Sequence, residues 1–233
     1  MERNVFLLGR PGSGKSSVAQ LIGMLAKDKD RFTHHIFDYK LLQEMFLQEE
    51  AEGIAPEKRK FRPKGPKECH GFDVIEFSVL DTVLEMMAEQ VRKEKQASSG
   101  RNKLFLIEFA RDDYSQALQK FGRDLLEDAH LVYLHAGLDT CIDRVRERVD
   151  CRLDTYNHFV SDDIMRGYYS KDDWSDGWLD QFLSLLQYQY IPVNASKIDN
   201  TGSTQTLRKQ IEKIFSDYLI PRPEPAYLAK RFT

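Results

Sequence analysis

Residues Gly9-Arg10-Pro11-Gly12-Ser13-Gly14-Lys15-Ser16 fit the spacing G-x-x-x-x-G-K-[ST] at every specified position. Glycines at this spacing let the backbone turn its N–H groups inward, and such a concavity draws an anion. An apolar run, VFLL, leads into the loop, and an amphipathic run leads out of it. The loop therefore joins a strand to the start of a helix, whose positive end adds to the attraction. Lys15 is a point charge suited to the β- and γ-phosphates of a nucleotide, and Ser16 offers a hydroxyl to Mg2+. Gly9, Gly12, Ser13, Gly14, Lys15, Ser16 and Ser17 form the candidate phosphate-binding set.

Positioning such a loop needs a sheet. NVFLLG (4–9), HIFDY (35–39), KLFLIEFA (103–110), AHLVYLHA (129–136) and QYIPVNAS (189–196) read as strands. Helical spacing fills 15–27, with Val18, Leu21, Ile22 and Leu25 on one face, and 39–53. It recurs over 73–97, with Ile75, Val79, Val83, Met86 and Met87 inward, then in a short run from Asp112, over 138–149 and over 204–219. Short apolar strands alternating with helices predict an α/β chain of three layers, with a five-stranded, mostly parallel sheet covered on both faces. Ligands of such sheets sit beyond the carboxyl ends of the strands. Residues 54–72 hold three prolines and six basic residues, and read as a loop or insertion. Residues 150–180 are polar, aromatic and rich in Asp, and the proline-broken tail after 220 is expected to wrap the surface. One domain spanning 1–233 is the expectation.

Composition limits the alternatives. A chain that is 41% hydrophobic and 30% charged fits a soluble globular protein. No apolar run approaches the roughly 20 residues that a spanning helix needs. The N-terminus enters a strand at once, without the pattern of a cleaved leader. A formal net charge of −3 gives no general pull toward nucleic acid or membrane. The three cysteines, Cys69, Cys141 and Cys151, include no CxxC pair, which points to reduced thiols and a cytoplasmic location. Neither Cys69–His70 nor Cys151 with His158 has the spacing of a common zinc site. Composition carries no reading of the oligomeric state.

The loop resembles that of the P-loop NTPases, and the five-strand layout resembles their nucleoside monophosphate kinase-like branch, which includes adenylate, shikimate and gluconate kinases. The resemblance covers nearly the whole chain in layout, and the loop is its specific part. It implies a strand order of 2-3-1-4-5 and transfer of phosphate from ATP, with Mg2+, to a small-molecule or nucleotide acceptor. It also implies a lid over the donor, here about 150–180, and an acceptor-binding segment, here about 54–72.

The same resemblance gives roles to residues at the strand ends. Asp38 stands where similar kinases bind the acceptor or take its hydroxyl proton; its alternative role is to cap the next helix. Glu108 looks like a Walker B acid holding Mg2+ through water, and Arg111, three residues on, would contact acceptor or phosphate. The Glu-x-x-Arg spacing is loosely similar to a pair in deoxynucleoside kinases; the alternative is an ion pair between the two. Asp112 and Asp113 read as caps of the following helix. Arg144 and Arg148 share a helix face and stand where related kinases neutralise the transferred phosphoryl group; the alternative is a solvated helix pairing with Asp143 and Glu147. DNTGS (199–203) resembles a stretch of dephospho-coenzyme A kinase beside the adenine, which would give Asn200 a donor contact. Its alternative is that Asn200 and Gly202 make a turn and cap the last helix. Arg166, Tyr168, Tyr169, Lys171 and Trp174 either stack on a base or sugar or pack as an amphipathic helix. Lys58, Arg59, Lys60, Arg62, Lys64 and Lys67 suit a phosphorylated acceptor or an RNA end, or else a solvated loop. Two further readings stay open: a nucleotide-dependent switch binding a protein partner, and a kinase acting on an RNA end.

Overall fold

The computed structural model describes residues 2–64, 71–97, 102–149, 159–171, 177, 181–184, 186, 191 and 193–220. Alternation along three central strands decides its layers. In β1 (Arg3–Leu8), β5 (Lys103–Glu108) and β6 (His130–His135), one face carries Phe6, Leu8, Phe105, Ile107, Leu131 and Tyr133. The opposite face carries Val5, Leu7, Leu104, Leu106, Val132 and Leu134. Both sets are buried, so helices must cover both faces.

The first face is covered by α2 (Asp38–Ala51), α3 (Ser78–Gln96), α4 (Tyr114–Gln119) and α5 (Arg123–Leu126). The second is covered by α1 (Lys15–Lys27) and α8 (Thr204–Ile214), which runs on into one wider helical turn over Phe215–Leu219. The edge strands are β2 (Phe32–Phe37) and β7 (Asn194–Asp199), giving the order β2-β5-β1-β6-β7 with every neighbour parallel. Counted along the chain among these five strands, the order is 2-3-1-4-5, as the resemblance implied. β1 leads toward β2 on one side while β5 crosses to β6 on the other, so the glycine loop opens at the switch point of the sheet. A third, smaller apolar cluster (Ala110, Ala136, Cys141, Ile142, Met165 and Tyr169) joins strand ends to α6 (Leu138–Val149) and α7 (Asp162–Gly167).

Several elements differ from the sequence reading. Residues 54–72 are not all loop: a short 3-10 turn over Pro56–Lys58 leads to β3 (Phe61–Pro63), which pairs antiparallel with β4 (Phe72–Val74). α3 begins at Ser78 rather than 73, because 72–74 belongs to that hairpin. Ile75 and Met86, expected inward, are exposed. The last strand is 194–199 rather than 189–196; as an edge strand it needs backbone pairing more than apolar residues, and Ile198 is its one buried side chain. Cys69, His70, Cys151, His158, Trp174 and the tail beyond 220 lie outside the described residues. Among the described residues no helix is long and apolar enough to cross a membrane.

Candidate functional site

The glycine loop is held from below and open above. Gly12 (φ 81°) and Gly14 (φ 99°) lie in the left-handed region, and a Cβ at either would fall 2.4 Å from its nearest neighbour, Cys141 O or Asn200 Nδ2. Gly9 N–H donates to the Tyr114 hydroxyl at 2.8 Å. Ser13 N–H closes a turn onto Arg10 O, and Ser13 O accepts from Asn200 Nδ2 at 2.8 Å. Ser13 Oγ is fully buried and has no hydrogen-bond partner among the described residues. Asn200 is itself fixed by its N–H on His135 O, and Arg144 bridges Gly12 O (3.4 Å) and Asn200 O (2.9 Å). Asn200 therefore braces the loop; the stretch does make a turn and cap α8, but the cap is Ser203, not Asn200 or Gly202.

Above the loop, α1 starts with no side-chain cap and no acidic residue in its first turn among the described residues. α2, α3 and α5 also lack a side-chain cap but carry Asp38, Asp81 and Asp124 in their first turns, and α4, α7 and α8 are capped by Asp113, Ser161 and Ser203. The first-turn N–H groups of a helix have no intrahelical partner, so an uncapped start holds donors and a positive end toward an anion. Lys15 is buried, and its Nζ donates to Gly9 O (2.8 Å) and Arg10 O (3.0 Å). Burial pushes this ammonium below its ordinary pKa, against the pull of Glu108 and Asp38.

Glu108 ends β5 beside this lysine. Its Oε1 accepts from Ser16 Oγ at 2.8 Å, and its Oε2 meets His35 Nε2 at 2.9 Å. Burial works to raise this carboxyl, but the hydrogen bond with His35, the charge of Lys15 and the Ser16 hydroxyl leave it below the ordinary carboxylate range. A hydroxyl and an ionised carboxylate side by side are hard oxygen donors of the kind Mg2+ takes in ones and twos, with waters and phosphates completing the shell. The donor set thus fits Mg2+, and Ser16 and Glu108 would hold it.

Arg111 does not pair with Glu108, which corrects the ion-pair alternative. Its NH1 donates to Asp38 Oδ2 at 2.8 Å, and its NH2 to Leu80 O at 2.8 Å. Ala110 N–H also donates to Asp38 Oδ2, so both bonds fall on one oxygen. Asp38 is the first residue of α2 and does not cap it; its side chain is tied to the end of β5 instead.

Two clefts meet at the loop. One is lined by Lys15, Ser16, Asp38 and Glu108 together with aromatic rings of α2, β4 and the turn after α7. The other is lined by Gly12, Gly14, Ser17, Arg144, Arg148 and Asn200. Gly9 and Ser13 of the loop line neither cleft, and Arg111, also outside both linings, reaches the first through Asp38. Burial and the neighbouring Arg144 lower the Arg148 guanidinium pKa, while the Glu108 charge opposes them.

Elsewhere, Arg146 pairs with Asp162 and, at 3.8 Å, with Asp143; Arg166 pairs with Asp139 at 2.9 Å. In the basic segment, Arg59 pairs with Glu50, and Arg62 with Asp73 at 3.2 Å. Tyr168 and Tyr169 both line the first cleft. His35, Tyr114 and Arg10 were not singled out from the sequence. None of the three carried a signal there: the register that sets Phe37 beside Glu108, and so brings His35 to that carboxylate, belongs to the fold.

No protein-family model matches the chain, and no curated protein matches it. Among solved structures, Kti12 of Chaetomium thermophilum in complex with ADP-AlF3 superposes with a TM-score of 0.54 and 10% identity, covering 94% of this chain and 100% of that one. A gluconokinase from Sinorhizobium meliloti 1021 superposes with a TM-score of 0.50 and 14% identity, covering 98% of each chain. The chain has the P-loop kinase-like α/β fold that these two structures share.

Proposed function

We propose that this protein is an ATP- and Mg2+-dependent phosphotransferase acting on a small hydroxyl-bearing acceptor. The observation that carries the reading is the convergence of Lys15, Ser16, Glu108 and Asp38 on one cleft at the carboxyl end of the sheet. The uncapped start of α1 and Lys15 bind the donor phosphates, and Lys15 leaves its two carbonyl partners to do so. Bound Mg2+ supplies neutralisation of phosphate charge. Asp38 orients the acceptor hydroxyl and takes its proton; its Oδ1 has no protein donor among the described residues. The acceptor oxygen forms a bond to the γ-phosphorus. The bond from that phosphorus to the β–γ bridging oxygen breaks, and ADP leaves with the electron pair. Arg144 and Arg148 border the donor side and stabilise the charge of the transferred group.

The test separates the roles. Lys15→Ala should lower transfer from γ-labelled ATP at least about 100-fold and weaken ATP binding. Asp38→Asn should lower transfer by a factor of about 10²–10⁴ while ATP binding persists. Full transfer by Lys15→Ala would overturn the site. Hydrolysis that responds to a protein partner, with no acceptor labelled, would favour the switch reading.

A further inference from the structure

The cleft beside Asp38 has walls unlike those of a phosphate or carboxylate receptor. Two ring stacks from separate elements line it. Tyr39 of α2 lies parallel to Phe72 of β4, centroids 5.7 Å apart and planes 6° apart. Phe77, just before α3, lies parallel to Tyr168 at 4.6 Å and 10°, and Tyr168 meets Tyr169 edge-on. Phe77 keeps 44% of its surface exposed beside its ring partner. A flat ring entering the cleft would cover that surface.

The cleft's polar groups point the same way. Its lining includes three carboxylates, Asp38, Asp73 and Glu108. Lys15 is the one cation among its described lining residues, and Lys15, Arg111 and Arg62 are each engaged by protein acceptors. Lys15 holds Gly9 O and Arg10 O, Arg111 holds Asp38 and Leu80 O, and Arg62 holds Asp73. Lys15 is in addition the group required by the donor phosphates. With Lys15 committed to the donor, an anionic acceptor would meet the Asp38 carboxylate with no guanidinium among the described lining residues to offset it.

From this we infer that the acceptor is an alcohol carrying a flat aromatic or heteroaromatic ring and no anionic group, being neutral or cationic. The inference rests on the kinase reading above and names the substrate class of the same site. The ring lies among Phe77, Tyr168 and the Tyr39–Phe72 pair, and the hydroxyl is presented to Asp38.

Binding of matched probes tests it without turnover. Calorimetric titration would compare 2-amino-1-phenylethanol with mandelate, and thymidine with thymidine 5′-monophosphate, each on the full chain, with ATP and Mg2+ titrated separately. Each neutral or cationic member should bind at least about tenfold more tightly than its anionic partner. Phe77→Ala, at an exposed position, should weaken the ring probes about two- to tenfold and leave ATP affinity unchanged. Equal or tighter binding of the anionic members would overturn the acceptor class. So would failure of all four probes to bind a protein that still takes up ATP, or indifference of the ring probes to Phe77→Ala. Those results leave the kinase reading standing. Failure of ATP itself to bind strikes the kinase reading, and the probe comparison then decides the acceptor class by itself.

Discussion

Glu108 shows how a single residue depends on its neighbours. A carboxylate at the end of a buried strand would be driven toward its neutral form by desolvation alone. Ser16, His35 and Lys15 reverse that, so the acid stays ionised at the proposed Mg2+ site. The acid was legible in the sequence from its place after four apolar residues. His35 was not, because a histidine in a strand carries no sign of which carboxylate it will meet. Tyr114 was hidden for the same reason: 105 residues separate it from Gly9. Burial pushes its phenol pKa up, so it stays neutral and accepts the Gly9 N–H. Tyr114→Phe leaves that N–H buried without an acceptor, at a cost of about 1–3 kcal/mol. A thermal melt should show the midpoint falling by roughly 2–10 °C. An unchanged midpoint would remove this bond from the account.

At the scale of elements, the strands with two buried faces were the readable ones. β1, β5 and β6 announce themselves as apolar runs because both sides pack. β7 and the β3–β4 hairpin do not: the first is a polar edge strand, and the second has three-residue strands carrying Arg62, Pro63 and Asp73. The β6–β7 junction makes its own pH prediction. His130 of β6 is buried with Nε2 on Ser196 Oγ at 2.9 Å, and burial, helped by Arg3, lowers its pKa from 6.5 to about 4. In the unfolded chain it takes up a proton near its ordinary value; in the folded chain it resists until about 4. The unfolded state thus binds more protons between those values. Stability should fall as pH drops from 6.5 toward 4, by up to about 3 kcal/mol, and this contribution should level off below. Urea unfolding across that range, compared with His130→Gln, checks it: the variant should lose this part of the slope.

Across the whole molecule, the glycine loop is tied to the turn whose Tyr168 and Tyr169 line the proposed acceptor cleft. Arg10 is buried, and its guanidinium donates to Tyr169 O (2.7 Å), Ser170 O (3.0 Å) and Lys171 O (3.0 Å), with Ala136 O at 3.5 Å. The sequence places Arg10 at an unspecified position of the loop, so spacing gave no reason to single it out. A lysine there cannot span these carbonyls. Arg10→Lys should speed amide exchange over 168–171 about ten- to hundredfold. It should lower kcat with little change in the ATP KM, because the donor loop keeps its other braces. Unchanged exchange over that turn would show that the link carries nothing between the two clefts.

The most direct measurement is the fate of the labelled phosphate. The 233-residue chain with Mg2+ and γ-labelled ATP would be offered ring-bearing alcohols, with Lys15→Ala beside it. Label on the acceptor hydroxyl, lost in the variant, is the result this account predicts. Label appearing only as inorganic phosphate, at the same rate with or without any acceptor, would contradict it.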